Sequence, residues 1–366
     1  MPSGDRAAMS RIAATIDLNA PGQSYGHLMV SYSDNDHAYS VIPVPVAVLS
    51  GTPGPTVLLA AGTHGDEWEG QLIARQILEQ VAPAKLTGRI IVLPSLNLPA
   101  VRAASRCSPI DEENLNRAFP GDRDGGPTKM LADYVEAHLL PLCDYAIDLH
   151  SGGSASEYRA SAFLRIDEDS RRTGEKVAAA IALGLPHSIV VDARGEARTF
   201  SAAADRQDVV MMATELGGAG RVDLEVLRRA GLGVRRLLVH WGLLAADAQT
   251  EQPPTGATQF LHLAAGSGAV VCSHGLLEPR VGLGDEVNAG EVVGRVRPLE
   301  DLSAPAEDVR APTSGIVITL RTPPLVRPGD FAANIGSPLE AHEVALIASE
   351  APFRSPQGGS AESGVN

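Results

Sequence analysis

The sequence predicts an α/β layer sandwich with a mostly parallel central sheet, followed by a small all-β domain. Three observations carry this. Between about residues 55 and 247, short apolar runs of the kind buried on both faces alternate with segments of helical period. Past Asp247 that alternation stops, and short β-type runs punctuated by Gly and Pro take over. The length of 366 residues leaves room for one large and one small unit, being ~2.4 times a typical ~150-residue domain.

Residues 1–54 read as an N-terminal β segment leading into the larger domain. Its strands are Tyr25 to Ser33 and Val41 to Leu49, the second carrying Pro43 and Pro45 in the manner of an edge strand. Thr56 to Ala61 (TVLLAA) is a buried strand, the GTHGDE loop follows, and Glu67 to Val81 has apolar residues at helical spacing. Arg89 to Leu93 is a second buried strand. Pro127 to Leu140 is a helix with Pro127 in its first turn, and Tyr145 to Leu149 is a third strand ending at His150. Ser161 to Ile166, Ser188 to Val191 and Val209 to Thr214 are further strands, with helices at Arg171 to Leu183 and Val222 to Leu244. A polar link, AQTEQPPTGATQ, then leads to a small β domain over residues 255–350, in which no helix is expected. The tail, 355–366, has no core residues and is expected to be disordered.

Composition excludes several classes of function. A hydrophobic share of 44% supports a buried core. Thirty basic against 44 acidic side chains give a formal charge of −14, which argues against nucleic acid or an anionic membrane as partner. An acidic protein can still hold an anionic substrate in a local arginine pocket. The most apolar stretch, Val41 to Ala61, is interrupted by Pro43, Pro45, Pro53 and Pro55, so no membrane span is expected. The first residues lack the apolar core of a signal peptide. The three cysteines are widely spaced and odd in number, which fits neither a disulfide framework nor a cysteine metal site. A cytoplasmic protein is expected.

Four stretches can carry chemistry. His64 and Glu67 lie three apart in the loop after a buried strand, at the strand end where open parallel sheets bind ligands. His150 ends a second such strand. Imidazole and carboxylate both suit Zn²⁺, and His64, Glu67 and His150 would make a His₂Glu set with one position left open. Asp148, two residues before His150, points the same way and could orient a ligand imidazole. Glu215 ends the strand VVMMAT and could accept a proton from a water. Each has a plainer reading when taken singly: a capping carboxylate for Glu67, a strand-end histidine bonded to backbone for His150, a buried acid bonded to backbone for Asp148, an acid before a helix for Glu215. The fourth stretch, Asn97 to Gly121, carries Arg102, Arg106 and Arg117, whose planar forks match carboxylates. Surface pairing with Asp111, Glu112 and Glu113 is the alternative, and the preferred one for Arg102.

Taken in order, HGDEWEG, NLNRAFPG, DLHSGG and TELGG resemble the succinylglutamate desuccinylase/aspartoacylase family of the zinc carboxypeptidase clan, over about residues 55 to 245. The resemblance implies a carboxypeptidase-like three-layer sandwich with a mixed, mostly parallel sheet, 55–247 being the zinc hydrolase domain. It implies one zinc per chain on His64, Glu67 and His150, and Glu215 as general base. It places the substrate carboxylate on Asn116 and Arg117, and a carbonyl-polarising arginine on Arg106. The implied substrate is a small N-acyl amino acid. The wording SPID-x-x-NLNR-x-FPG is closest to the branch resembling the ectoine-degradation deacetylases, which remove acetyl from the α-nitrogen of 2,4-diaminobutyrate. Asp111, Glu112, Glu113 or Glu157 could then supply an acid for the second amine, although solvated loop acids are the preferred reading of each. The rival readings are a zinc carboxypeptidase on short peptides and a non-catalytic protein that binds metal or amino acid. A homo-oligomer is expected. VGLGDEVNAGEVVGRV, APTSGIV and VRPGDFAANIG resemble the hairpins of biotinyl/lipoyl domains, but no lysine follows Lys176, so no lysine-linked swinging arm is possible. The small β domain is expected to shape the site mouth or an oligomer contact.

Overall fold

The computed structural model describes residues 10–35, 38–166, 170–192, 196–251 and 256–349. The tail expected to be disordered lies outside them. β1 (Ile12–Ala14), β2 (Gly22–Tyr32) and β3 (Ser40–Ser50) form an antiparallel ribbon at one side of the main sheet. Then come β4 (Thr52–Ala61), α1 (Trp68–Gln80), β5 (Thr87–Leu93), α2 (Leu98–Ala103), α3 (Pro127–Tyr134), β6 (Tyr145–His150), β7 (Ser156–Tyr158) and β8 (Ser161–Ile166). α4 (Ser170–Leu183), β9 (His187–Asp192), α5 (Phe200–Arg206), β10 (Val210–Glu215) and α6 (Leu224–His240) complete the α/β part.

The strand order β3-β5-β4-β6-β10-β8-β9 is mixed and mostly parallel. β5, β4, β6 and β10 run together, while β8 and β9 are parallel to each other and antiparallel to β10. Alternation along β4 makes the three layers. Val57 and Leu59 face the core of α1, α4 and α6, with Ile73, Ile77, Val177 and Leu237. Leu58 and Ala60 face the core of α3 and α5, with Leu131 and Phe200. The N-cap of α6 is Asp223, whose carboxylate accepts from Glu225 and Val226 N–H at 2.9 Å.

Several expectations need correction. β3 is not an edge strand: β2 pairs along its whole length and β5 pairs with Ala47–Ser50. Pro43 and Pro45 lie beyond the end of β5, where a missing N–H can face an unpaired side. The helix expected over 127–140 is α-helical to Tyr134 and continues as a π turn over Val135–Leu139. α2 and α5 were not expected; at six and seven residues they are too short to show a helical period.

The remaining elements are β11 (Gln259–His262), β12 (Gly268–Val270), β13 (Gly275–Pro279), β14 (Glu286–Val287), β15 (Val292–Arg297), β16 (Glu307–Arg310), β17 (Gly315–Arg321), β18 (Leu325–Val326), β19 (Phe331–Pro338) and α7 (Ala341–Ala348). α7 contradicts the expectation of no helix here, and a Glu340/Glu343 capping box starts it. A small antiparallel sheet, β16-β15-β13-β18, packs over a core that includes Val271, Val293, Val317 and Ile335. β11 pairs in parallel with β9 and antiparallel with β19, so the main sheet runs on into this β region. Among the described residues no helix is long and apolar enough to cross a membrane, and the three cysteines are free thiols.

Candidate metal centre and active site

Three neighbouring strand ends build the site. In register, Ala61 of β4 lies beside Leu149 of β6, and His150 of β6 beside Glu215 of β10. After β4 the chain turns through Gly62 into the loop that carries His64 and Glu67. Gly65 is required there because a Cβ would come within 2.0 Å of the Ala100 backbone in α2. Close packing against α2 thus holds His64 over the sheet.

His64, Glu67 and His150 are brought together, each buried, with one ligand-competent atom apiece within 4.8 Å of the others. His64 Nδ1 is 2.6 Å from Glu67 Oε1, and His150 Nδ1 is 2.8 Å from Glu67 Oε2. The far nitrogens are held by acceptors. His64 Nε2 faces Asn114 Oδ1 at 3.1 Å, and His150 Nε2 faces Asp148 Oδ2 at 2.7 Å. Asp148 is itself fixed by the Thr63 hydroxyl, which donates to Oδ1 at 2.9 Å. With a proton on each Nε2, both Nδ1 lone pairs would converge beside the Glu67 carboxylate, an arrangement that can hold a cation among them. This donor set therefore fits a divalent metal, and two imidazoles with one carboxylate suit zinc.

With no ion among them, the three side chains perturb one another's titration. Burial opposes ionisation of Glu67, but His150 and His64 outweigh it and hold the carboxyl well below its usual range. Burial lowers His64 despite Glu67. For His150 burial acts downward too, yet Asp148 and Glu67 win and raise it well above an ordinary histidine. Glu215 is pushed up to about 8, first by burial and then by the negative charge of Glu67. Its Oε2 is buried without a hydrogen-bond partner.

These groups open onto a cavity of about 540 Å³, which Arg106, Asn116 and Arg117 also line. Arg106 Nη1 lies 3.3 Å from His64 Nδ1 and 3.6 Å from Glu67 Oε1, with its side chain half-exposed. Asn116 Oδ1 accepts from Phe200 N–H at 2.9 Å, tying the NLNR turn to α5. Arg117 donates to the Asn116 carbonyl at 2.6 Å and lies 3.5 Å from Glu196. Arg102 does not line the cavity.

Nor do Asp111, Glu112, Glu113 and Glu157 line the cavity, in keeping with the preferred reading of them as loop acids. Asp111 accepts from Thr128 at the start of α3, Glu113 pairs with Lys129, and Glu157 pairs with Arg221. Besides Glu67 and Glu215, the carboxylates at the cavity wall are Asp192 and Glu196. Asn114 and Tyr158 were also missed. Asn114 could have been flagged as the first asparagine of NLNR; Tyr158 follows a run of small residues with no motif around it.

A family model of the succinylglutamate desuccinylase/aspartoacylase catalytic domain matches residues 53–241. The chain is 35% identical over 332 residues to the N-alpha-acetyl-L-2,4-diaminobutyric acid deacetylase of Halomonas elongata, covering 90% of this chain and 96% of the relative. The product-bound structure of the ectoine utilization protein EutE (DoeB) from Ruegeria pomeroyi superposes with a TM-score of 0.85 at 34% identity, over 90% of this chain and 99% of that one. A succinylglutamate desuccinylase/aspartoacylase from Rhodobacter sphaeroides gives 0.85 at 32% identity, over 90% and 100% of the two chains. With the model matching more than half of its length, the chain belongs to the succinylglutamate desuccinylase/aspartoacylase family.

Proposed function

We propose that this chain hydrolyses the amide bond of a small N-acetyl amino acid, with Nα-acetyl-2,4-diaminobutyrate the favoured substrate. One observation carries the reading: a buried His64–Glu67–His150 set with Glu215, whose Oε2 is buried without a hydrogen-bond partner, on a cavity that arginines also line. The relative that acts on acetylated diaminobutyrate supports the choice of substrate. Residues 55–247 form the hydrolytic unit and 255–350 the β unit packed beside it.

His64, Glu67 and His150 would hold one zinc ion. When bound, zinc supplies Lewis acidity, polarising an amide carbonyl and lowering the pKa of a water from 15.7 toward ~7. Asp148 and Asn114 fix the rings with Nδ1 facing inward. Glu215 takes the proton of the attacking water and passes it to the leaving amine nitrogen. Burial and the charge of Glu67 raise its affinity for a proton, which suits a group that must accept one from water. Arg106 donates to the acyl oxygen as charge grows there. Arg117 exchanges Glu196 for the substrate carboxylate, and Asn116 holds the turn that presents it.

The test is a panel on zinc-loaded protein: N-acetyl amino acids, including Nα- and Nγ-acetyl-2,4-diaminobutyrate, against short peptides. Preferred turnover of the Nα-acetyl compound supports the reading. Turnover confined to peptides replaces it with a carboxypeptidase, and zinc binding without any turnover replaces it with a binding protein.

A further inference from the structure

β7 is three residues long, yet it is held from two sides. On one side Tyr158 pairs with Thr319 of β17, and Arg159 N–H donates to Ile318 O at 3.1 Å. On the other, Tyr158 N–H donates to Gly217 O at 2.8 Å, and Glu157 bridges Gly218. Gly217 is two residues beyond Glu215. The backbone of Tyr158 is therefore pinned between the turn that carries the general base and the C-terminal β region.

Tyr158 lines the same cavity as Glu215, Arg106 and Glu67. Glu215 acts on the phenol most strongly and, with burial, holds the hydroxyl well above the usual tyrosine range, against a hydrogen bond with Thr319 and the charge of Arg106. Like any tyrosine hydroxyl near neutral pH it carries its proton and can donate. A neutral donor there adds no charge beside Glu215. Arg106 and Tyr158 border one cavity, so an acyl oxygen held there by Arg106 lies in space that Tyr158 also bounds.

We propose that Tyr158 is a further catalytic residue, its phenolic O–H donating a hydrogen bond to the acyl oxygen while the amide carbon is attacked. This rests on the amide-hydrolysis reading above. It also gives the C-terminal β region a task in the reaction, since β17 sets the position of the ring.

The test is Tyr158→Phe in the zinc-loaded full chain, assayed on the N-acetyl amino acid the parent protein hydrolyses best. The variant keeps the ring and the β7 backbone, so the thermal midpoint and zinc stoichiometry should not change. The expected result is a fall in kcat of about 10²-fold with KM within about threefold, as for loss of one oxyanion donor. A phosphonate analogue of the tetrahedral state should weaken by the same factor, with the affinity for the product amino acid unchanged. A kcat within about threefold of the parent, or a loss wholly in KM, overturns the proposal alone. A parent protein inert toward every N-acyl amino acid overturns the hydrolysis reading and this proposal with it.

Discussion

Replacing Asp148 should loosen the metal centre without touching a ligand. Asp148 is buried at 1% exposure and makes two bonds, one with His150 Nε2 at 2.7 Å and one from the Thr63 hydroxyl at 2.9 Å. The bond with His150 is charge-assisted and worth about 1.5–3 kcal/mol. At 1.4 kcal/mol per decade that is roughly 10–150-fold in an equilibrium constant, in line with the roughly 10–100-fold found for outer partners of metal-binding histidines. The two obvious variants should divide this range. In Asp148→Asn the amide oxygen can turn to His150 and the amide N–H₂ to Thr63, whose hydroxyl can accept as well as donate. A neutral bond survives, so the zinc Kd should rise about tenfold. In Asp148→Ala both bonds go, Nε2–H is left buried without an acceptor, and the Kd should rise about 100-fold. The assay is zinc competition against a chromogenic chelator near neutral pH. A Kd within about threefold of the parent in Asp148→Ala would show that His150 is not oriented from this side, and the assignment of its Nδ1 as a ligand atom would fall.

Three further outcomes are expected. Glu215→Gln should keep zinc stoichiometry and lower kcat by about 10²–10⁴-fold, read by metal analysis and initial rates; a variant that loses its metal would make Glu215 a ligand instead. Arg117→Ala should raise KM about tenfold, the low end for a charge-assisted pair, because Glu196 already satisfies part of the guanidinium; an unchanged KM places the substrate carboxylate elsewhere. Burial pushes the Cys143 thiol up to about 12. Iodoacetamide at mildly alkaline pH should therefore spare Cys143 and label exposed Cys272, as read by peptide mass spectrometry.

Much of this was legible in the sequence because the strands that build the site are buried on both faces. TVLLAA, YAIDL and VVMMAT are continuous apolar runs, and a polar residue that ends such a run stands out. His150 and Glu215 were found that way. The residues that were missed are ones whose role depends on contacts distant in sequence. Asn114 acts on a histidine 50 positions earlier, and Tyr158 reaches its place through pairing with Thr319. Neither contact leaves a period in the local sequence. Which acid would meet a substrate amine was not legible for a related reason. Composition shows that a loop is acidic, but not that Asp111 is already spent on the first turn of α3. α5 escaped because seven residues cannot display a hydrophobic period, although Phe200 is fully buried beneath the site.

The position of the site follows from the order in which the strands are laid down. From β4 the chain passes through α1 to β5 on one side, then returns through α3 to β6 on the other. β4 and β6 are therefore parallel neighbours whose following segments leave in opposite directions, and a crevice opens above their carboxyl ends. Glu67 comes from the segment after β4 and His150 from the end of β6, so the carboxylate that both imidazoles face stands across that crevice. β10 adds Glu215 at the same level. The next strand, β8, runs the other way, so its amino end lies beside Glu215. A strand that begins there brings no carboxyl-end loop over the crevice, and the short β7 segment that leads into it supplies Tyr158 instead. The same topology that gathers three ligand-competent groups at one end of a sheet thus leaves one side of them open, and that side is where the cavity lies.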